Sequence, residues 1–117
     1  MHELSVSAAV VDTAVRHAAG RRVTSVHLRV GALRQVVPDS LDFYWGIVTR
    51  DTLCEGAVLE QELVAARLRC EDCDAEWEVD APAFRCLGCG GCATIVAGEE
   101  LQVESIDVRR EEEPCIA

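Results

Sequence analysis

Residues 70–89 read CEDCDAEWEVDAPAFRCLGC, and the cysteine spacing in this stretch decides the second half of the fold. Two Cys-x2-Cys pairs, Cys70/Cys73 and Cys86/Cys89, are separated by twelve residues. Two residues between thiols make a tight turn that presents both sulfurs to one ion. Four thiolates suit a tetrahedral, structural Zn2+, with no position left open for a substrate. Between the pairs, Trp77, Val79 and Phe84 form a short apolar pattern with Pro82 at a turn, enough for a small β-ribbon. The second pair continues Gly90-Gly91-Cys92, so Cys89/Cys92 offers another x2 pair in which Cys92 replaces Cys86 as ligand. An iron–sulfur cluster is the other chemistry such a thiolate set can hold.

Working outward, the flanks carry the periodicities of a small α+β domain. Leu4, Ala8, Val11, Val15 and Ala18 recur at helical intervals before Gly20, a natural stop. Residues 23–30 switch to period two: Val26, Leu28 and Val30 share one face, and Ser25, His27 and Arg29 the other. Pro38 and Asp39 suit the first turn of a second helix, whose stripe is Leu41, Tyr44, Trp45 and Val48. After the turn Cys54-Glu55-Gly56, residues 57–64 read as a second strand, with Leu59 and Leu63 on one side. Residues 101–109 read as a third, with a change of parity between Val103 and Ile106. The expected fold is two helices packed on a small three-stranded antiparallel sheet, with an inserted zinc-ribbon-like module. The second and third strands flank the insertion and are expected to pair. The implied organisation is an α+β domain over 1–65 plus 98–110, a zinc module over 66–97, and a mobile acidic tail over 111–117.

Composition excludes several classes of function. The 117 residues carry 21 acidic and 11 basic side chains, a formal charge of −10. Nucleic-acid binding rests on Lys and Arg neutralising phosphates, so this balance argues against DNA or RNA and suits basic protein partners. No apolar run approaches the roughly 20 residues that span a bilayer. The start, MHELSV, has no basic region before an apolar run and so is not a standard signal peptide. Seven cysteines without an export signal point to the reducing cytoplasm, where clustered Cys means metal rather than disulfide. Four are used by the metal; Cys54, Cys92 and Cys115 are left over. No nucleophile–base pair, phosphate loop or open zinc pattern is present, so the chain is not expected to be an enzyme.

The amino terminus admits two readings, a solvated His2 before a helix and a second metal site. The Met1 amine, the His2 backbone nitrogen and the His2 imidazole can close adjacent chelate rings, and the Glu3 backbone nitrogen or carboxylate can complete the set. Nitrogen donors in a square plane favour Ni(II) or Cu(II) over zinc. His17 reads as a cation suited to a helix end, and His27 as the outward face of a strand.

Several short motifs occur in a fixed order. Met1-His2-Glu3 opens the chain, and Val30-Gly31-x-Leu33 ends the first strand. Pro38-x-x-Leu41-x-Phe43 starts the second helix, and Glu55-Gly56-Ala57-x-Leu59 enters the second strand. The four cysteines follow, then Leu101-x-Val103-x-Ser105-Ile106. In this order they resemble the HypA (HybF-like) family of hydrogenase nickel-incorporation proteins over residues 1 to about 109. The resemblance implies a nickel metallochaperone that delivers Ni2+ as cargo to the large-subunit precursor of [NiFe]-hydrogenase, working with a HypB-type GTPase, as a monomer or weak homodimer. It assigns nickel to Met1, His2 and Glu3, with Asp39 orienting His2 from behind, and structural Zn2+ to the cysteines. The chain departs from the family at Gly31-Ala32-Leu33, where an acidic residue is usual, and at Gly90-Gly91-Cys92. The competing reading is a zinc-ribbon adaptor that docks proteins without delivering nickel.

Overall fold

A computed structural model describes residues 2–79, 85–86 and 88–110. The order of elements is helix α1 (Glu3–Ala18), strand β1 (Val23–Gly31), a 3-10 turn (Ala32–Arg34), helix α2 (Pro38–Val48), and strands β2 (Val58–Val64), β3 (Ala66–Cys70), β4 (Glu76–Val79), β5 (Ala93–Ala97) and β6 (Leu101–Val108). The fold class is α+β, with two helices and two small sheets. Among the described residues no helix is long and apolar enough to cross a membrane. Phe84, Pro82, Cys115 and the acidic stretch 111–117 lie outside the described residues.

The chain packs as two compact units. One comprises Met1–Leu28, Val36–Gln61 and Val103–Ala117; the other comprises Arg29–Gln35 and Glu62–Gln102. In the first, α1 carries Glu3 at its positive end and Arg16 and His17 at its negative end, which complements the helix dipole. It stops where Ala19 turns left-handed (φ 54°). Its buried residues are Glu3, Val6, Ser7, Val10, Val11, Ala14 and Ala18. This corrects the expected stripe: Leu4 and Ala8 face outward and Val15 is half-buried, because Glu3 and Ser7 find polar partners on the inner side. The helix α2 starts with Pro38 at its first position and buries Leu41 and Trp45. The Trp45 indole donates to the Ala57 carbonyl at 2.9 Å. Val23, Val26 and Leu28 of β1 join Leu41 and Trp45 in the core. Each large side chain so buried stabilises the fold by roughly 1.5–3 kcal/mol.

The first sheet has the order β2-β1-β6. The two strands flanking the insertion are therefore not paired as expected, since β1 lies between them. Along β1 and β6 the bonded partners run in opposite senses: the Arg109 amide donates to Arg22 and the Thr24 hydroxyl to the Asp107 carbonyl. Along β1 and β2 the ion pairs His27–Glu60 and Arg29–Glu62 advance together, as in parallel neighbours. A helix connects these two strands, the usual crossover for parallel pairing. The half-buried positions of β6 are Val103, Ile106 and Val108, with the expected change of parity.

In the second unit β3 is the centre of a sheet ordered β4-β3-β5, antiparallel on both sides. Leu68 faces Trp77 in one neighbour and Ile95 in the other. The expected ribbon between the cysteine pairs is thus replaced, where described, by pairing of β4 with the strand that precedes the first pair. Ala66, Leu68 and Cys70 are buried on one face of β3. Backbones approach closely at Gly31: a Cβ there would collide with the Gly98 carbonyl and lie 2.6 Å from the Glu100 nitrogen.

Candidate metal centres

The first cysteine of the first pair ends β3, and the second pair follows Arg85, which bridges to Cys92. Both pairs are built on the same turn. The Cys70 amide donates to the Ala75 carbonyl (2.8 Å) and the Cys86 amide to the Gly91 carbonyl (2.9 Å). In return, the Asp74 amide donates to the Cys70 carbonyl (3.1 Å) and the Gly90 amide to the Cys86 carbonyl (2.8 Å). Each turn closes through a left-handed residue, Asp74 at φ 61° and Gly90 at φ 74°. The sequence x2 spacing legislates for the sulfurs; the carbonyls and amides that follow shape the turn.

The Sγ atoms of Cys70, Cys73, Cys86 and Cys89 all lie within 4.8 Å of one another, the one such group of potential ligands among the described residues. Individual separations are 3.4 Å for Cys70–Cys89, 3.7 Å for Cys73–Cys86 and 3.8 Å for Cys89–Cys73. A tetrahedral zinc with Zn–S bonds of about 2.3 Å sets its sulfurs about 3.8 Å apart, so the cluster fits such an ion. Cys70 and Cys86 are buried, and Cys73 and Cys89 exposed. Cys92 is exposed and is not one of the four.

Amide hydrogens prepare the sulfurs for negative charge. The Asp72 amide points to Cys70 Sγ at 3.4 Å. The amides of Cys89 and Gly88 bring the Cys86 thiol down to about 7. Although the Gly91 amide pulls Cys89 down, the neighbouring Cys70 and Cys73 thiols, burial and Cys86 push it up to about 12. Without a cation, then, charge concentrates on one sulfur and is resisted on its neighbour; a divalent ion removes that conflict. Gly91 leaves the room this requires. A Cβ there would collide with the Asp72 carboxylate and stand 3.2 Å from Cys70 Sγ.

Of the amino-terminal set, Met1 lies outside the described residues. His2 is exposed and its carbonyl accepts from the Val6 amide at 2.8 Å, opening α1. Glu3 is buried, with 7% of its surface exposed, and its carboxylate accepts from the Val37 amide at 3.4 Å. A hydrogen bond from the amino terminus leads the causes that hold this carboxyl below its ordinary range; burial opposes it and the Val37 amide adds to it. One turn on, the Ser7 hydroxyl donates to the Leu41 carbonyl at 3.5 Å. The contacts 3–37 and 7–41 advance together, so α1 and α2 begin side by side. Asp39 is exposed in the first turn of α2. The burial of Glu3 was not legible from its position beside two expected ligands; its partner amide is distant in sequence.

Residues 1–108 match the family model described as "HypA: Hydrogenase/urease nickel incorporation, metallochaperone, hypA". The chain is 44% identical over 109 residues to the hydrogenase maturation factor HypA of Geotalea uraniireducens, covering 92% of this chain and 99% of that protein. It is 44% identical over 113 residues to that of Streptomyces avermitilis, covering 91% and 86%. Its fold is similar to the solution structure of the Ni metallochaperone HypA from Helicobacter pylori, with a TM-score of 0.67 at 21% identity over 92% of this chain and 97% of that one. The chain belongs to the HypA family of hydrogenase nickel-incorporation proteins, which are metallochaperones and not enzymes.

Proposed function

We propose that this chain binds Ni(II) through Met1, His2 and Glu3 and passes it to the large-subunit precursor of a [NiFe]-hydrogenase, with a HypB-type GTPase as working partner in the cytoplasm. The observation that carries this reading is the fixed start of α1. Glu3 is held to the amide of Val37, one residue before α2, so an ion on the first residues has Asp39 at the same end of the helix pair. In that arrangement His2 supplies imidazole and backbone nitrogens, the amine of Met1 a further nitrogen, and Glu3 its backbone nitrogen or carboxylate. Asp39 orients the imidazole. Such a set is planar and rich in nitrogen, which selects Ni(II) over zinc. Its exposure lets an acceptor displace one donor at a time.

The four thiolates of Cys70, Cys73, Cys86 and Cys89 hold a structural Zn2+ in the same reading. Their separations suit its tetrahedron, and a set with no open position serves folding rather than cargo exchange. The chain supplied to bacteria that lack their own family member should restore hydrogenase activity, and His2→Ala should not. Equal restoration by His2→Ala would overturn the nickel assignment.

A further inference from the structure

On the first sheet, His27 of β1 stands between carboxylates on either side. Its Nδ1 lies 2.7 Å from Glu60 Oε2 of β2, and its Nε2 lies 2.9 Å from Asp107 Oδ2 of β6. The Ser25 hydroxyl, on the same face of β1, also donates to Asp107 Oδ2. Glu104 of β6 adds negative charge nearby. Arg29, two residues further along that face, is engaged with Glu62 of β2 at 3.7 Å. His27 is therefore the basic side chain that faces carboxylates from both neighbouring strands.

Carboxylate oxygens at this distance accept hydrogen bonds and cannot donate them. A neutral imidazole carries one N–H, so it satisfies Glu60 or Asp107 but not both; its other nitrogen then turns a lone pair toward an anion. Only the imidazolium, with two N–H groups, makes both bonds at once. We propose that His27 is a proton-operated clasp: as imidazolium it ties β2 and β6 to β1, and on losing its proton to water it releases one of the two. The strands it holds are the ones that carry the chain into and out of residues 62–102, since β2 leads to β3 and β6 follows β5. The hydrogen bond to Asp107 leads the influences that raise the pKa of His27, against desolvation and with help from the charges of Glu60, Asp107 and Glu104. The clasp thus opens above the ordinary histidine range, near 6.5.

The direction is fixed by linkage. A histidine whose folded pKa is raised contributes its full stability below its unfolded pKa and loses it as pH rises through the folded value. The test is NMR on the full, zinc-loaded chain. Ring 15N shifts of His27 are followed against pH, and amide-exchange protection factors are read along β2 and β6. The expected result is a His27 midpoint above 6.5, with both ring nitrogens protonated below it. Glu60→Gln and Asp107→Asn should each lower that midpoint. Protection along β2 or β6 should fall roughly two- to fivefold as pH rises through it, the scale of an exposed ion pair. In His27→Gln, protection should stay level over the same range. A midpoint at or below 6.5, a midpoint unmoved by both carboxylate variants, or protection that does not change with pH in the parent chain would each overturn the proposal.

Discussion

Asp74 and Gly90 occupy the same place in two copies of one turn. Each lies four residues past the first cysteine of its pair, each donates its amide to that cysteine's carbonyl, and each holds left-handed backbone, at φ 61° and 74°. Asp tolerates this conformation better than most residues with a side chain, and glycine adopts it freely. Asp74→Gly should therefore keep its zinc and stay within about 1 kcal/mol of the parent chain. Gly90→Val places a β-branched residue there and should lose about 1–2 kcal/mol. Urea denaturation of the zinc-loaded proteins checks both; equal stability of Gly90→Val and the parent would show that the second turn does not need its left-handed residue.

The ligand set makes a prediction of its own. Cys92 is exposed and outside the four clustered sulfurs, whereas Cys86 is buried among them. Cys92→Ser should retain one zinc per chain and Cys86→Ser should not, by elemental analysis of purified protein. Loss of zinc from Cys92→Ser with retention by Cys86→Ser would move the site to the alternative pair.

Two glycines should respond with opposite signs. Gly31→Ala drives a Cβ into the backbone of Gly98 and Glu100, which cannot yield as a side chain can, and should cost about 1–3 kcal/mol, the range for overpacking. Gly46 lies within α2, and a Cβ there meets nothing within 4 Å. Gly46→Ala should gain up to about 1 kcal/mol from helix propensity. Chemical denaturation ranks the three proteins, and an order other than Gly46→Ala, parent, Gly31→Ala would contradict the packing described.

The His27–Asp107 contact predicts a bounded pH window. The Ser25 hydroxyl, and then His27, hold the Asp107 carboxyl below its ordinary range. A depressed carboxyl contributes stability above its unfolded pKa, about 3.9, and loses it as pH falls through the folded value. The raised His27 contributes fully below about 6.5 and loses it as pH rises through its own folded value. The stability difference between the parent chain and Asp107→Asn should be largest between about pH 4 and 6.5 and shrink on both sides. Denaturation midpoints taken across that range test it; a difference that keeps growing above the His27 midpoint would mean the two groups are not linked.

Local patterns in this chain were readable wherever the deciding partners are close in sequence. Both helices and β1 announced themselves through periodicity, and Cys70, Cys73, Cys86 and Cys89 through spacing that also proved to be their geometry. What stayed hidden depended on distant partners. The buried face of α1 is turned toward Glu3 and Ser7 because the amide of Val37 and the carbonyl of Leu41 await them there; hydrophobicity alone favoured Leu4, which is 52% exposed. The pairing of β1 with both β2 and β6 could not be read from alternation, which fixes faces and not neighbours. His27 looked like an ordinary outward residue because Glu60 and Asp107 lie far along the chain. The match between the Asp74 and Gly90 turns was obscured because one uses Asp where the other uses Gly.

The central claim, nickel held by the first residues of the chain, is tested most directly by calorimetric titration of Ni(II) into zinc-loaded, untagged protein. The account predicts one nickel per chain, abolished by His2→Ala and by a single residue added before Met1, with the zinc content unchanged. A stoichiometric nickel site that survives both changes would contradict it.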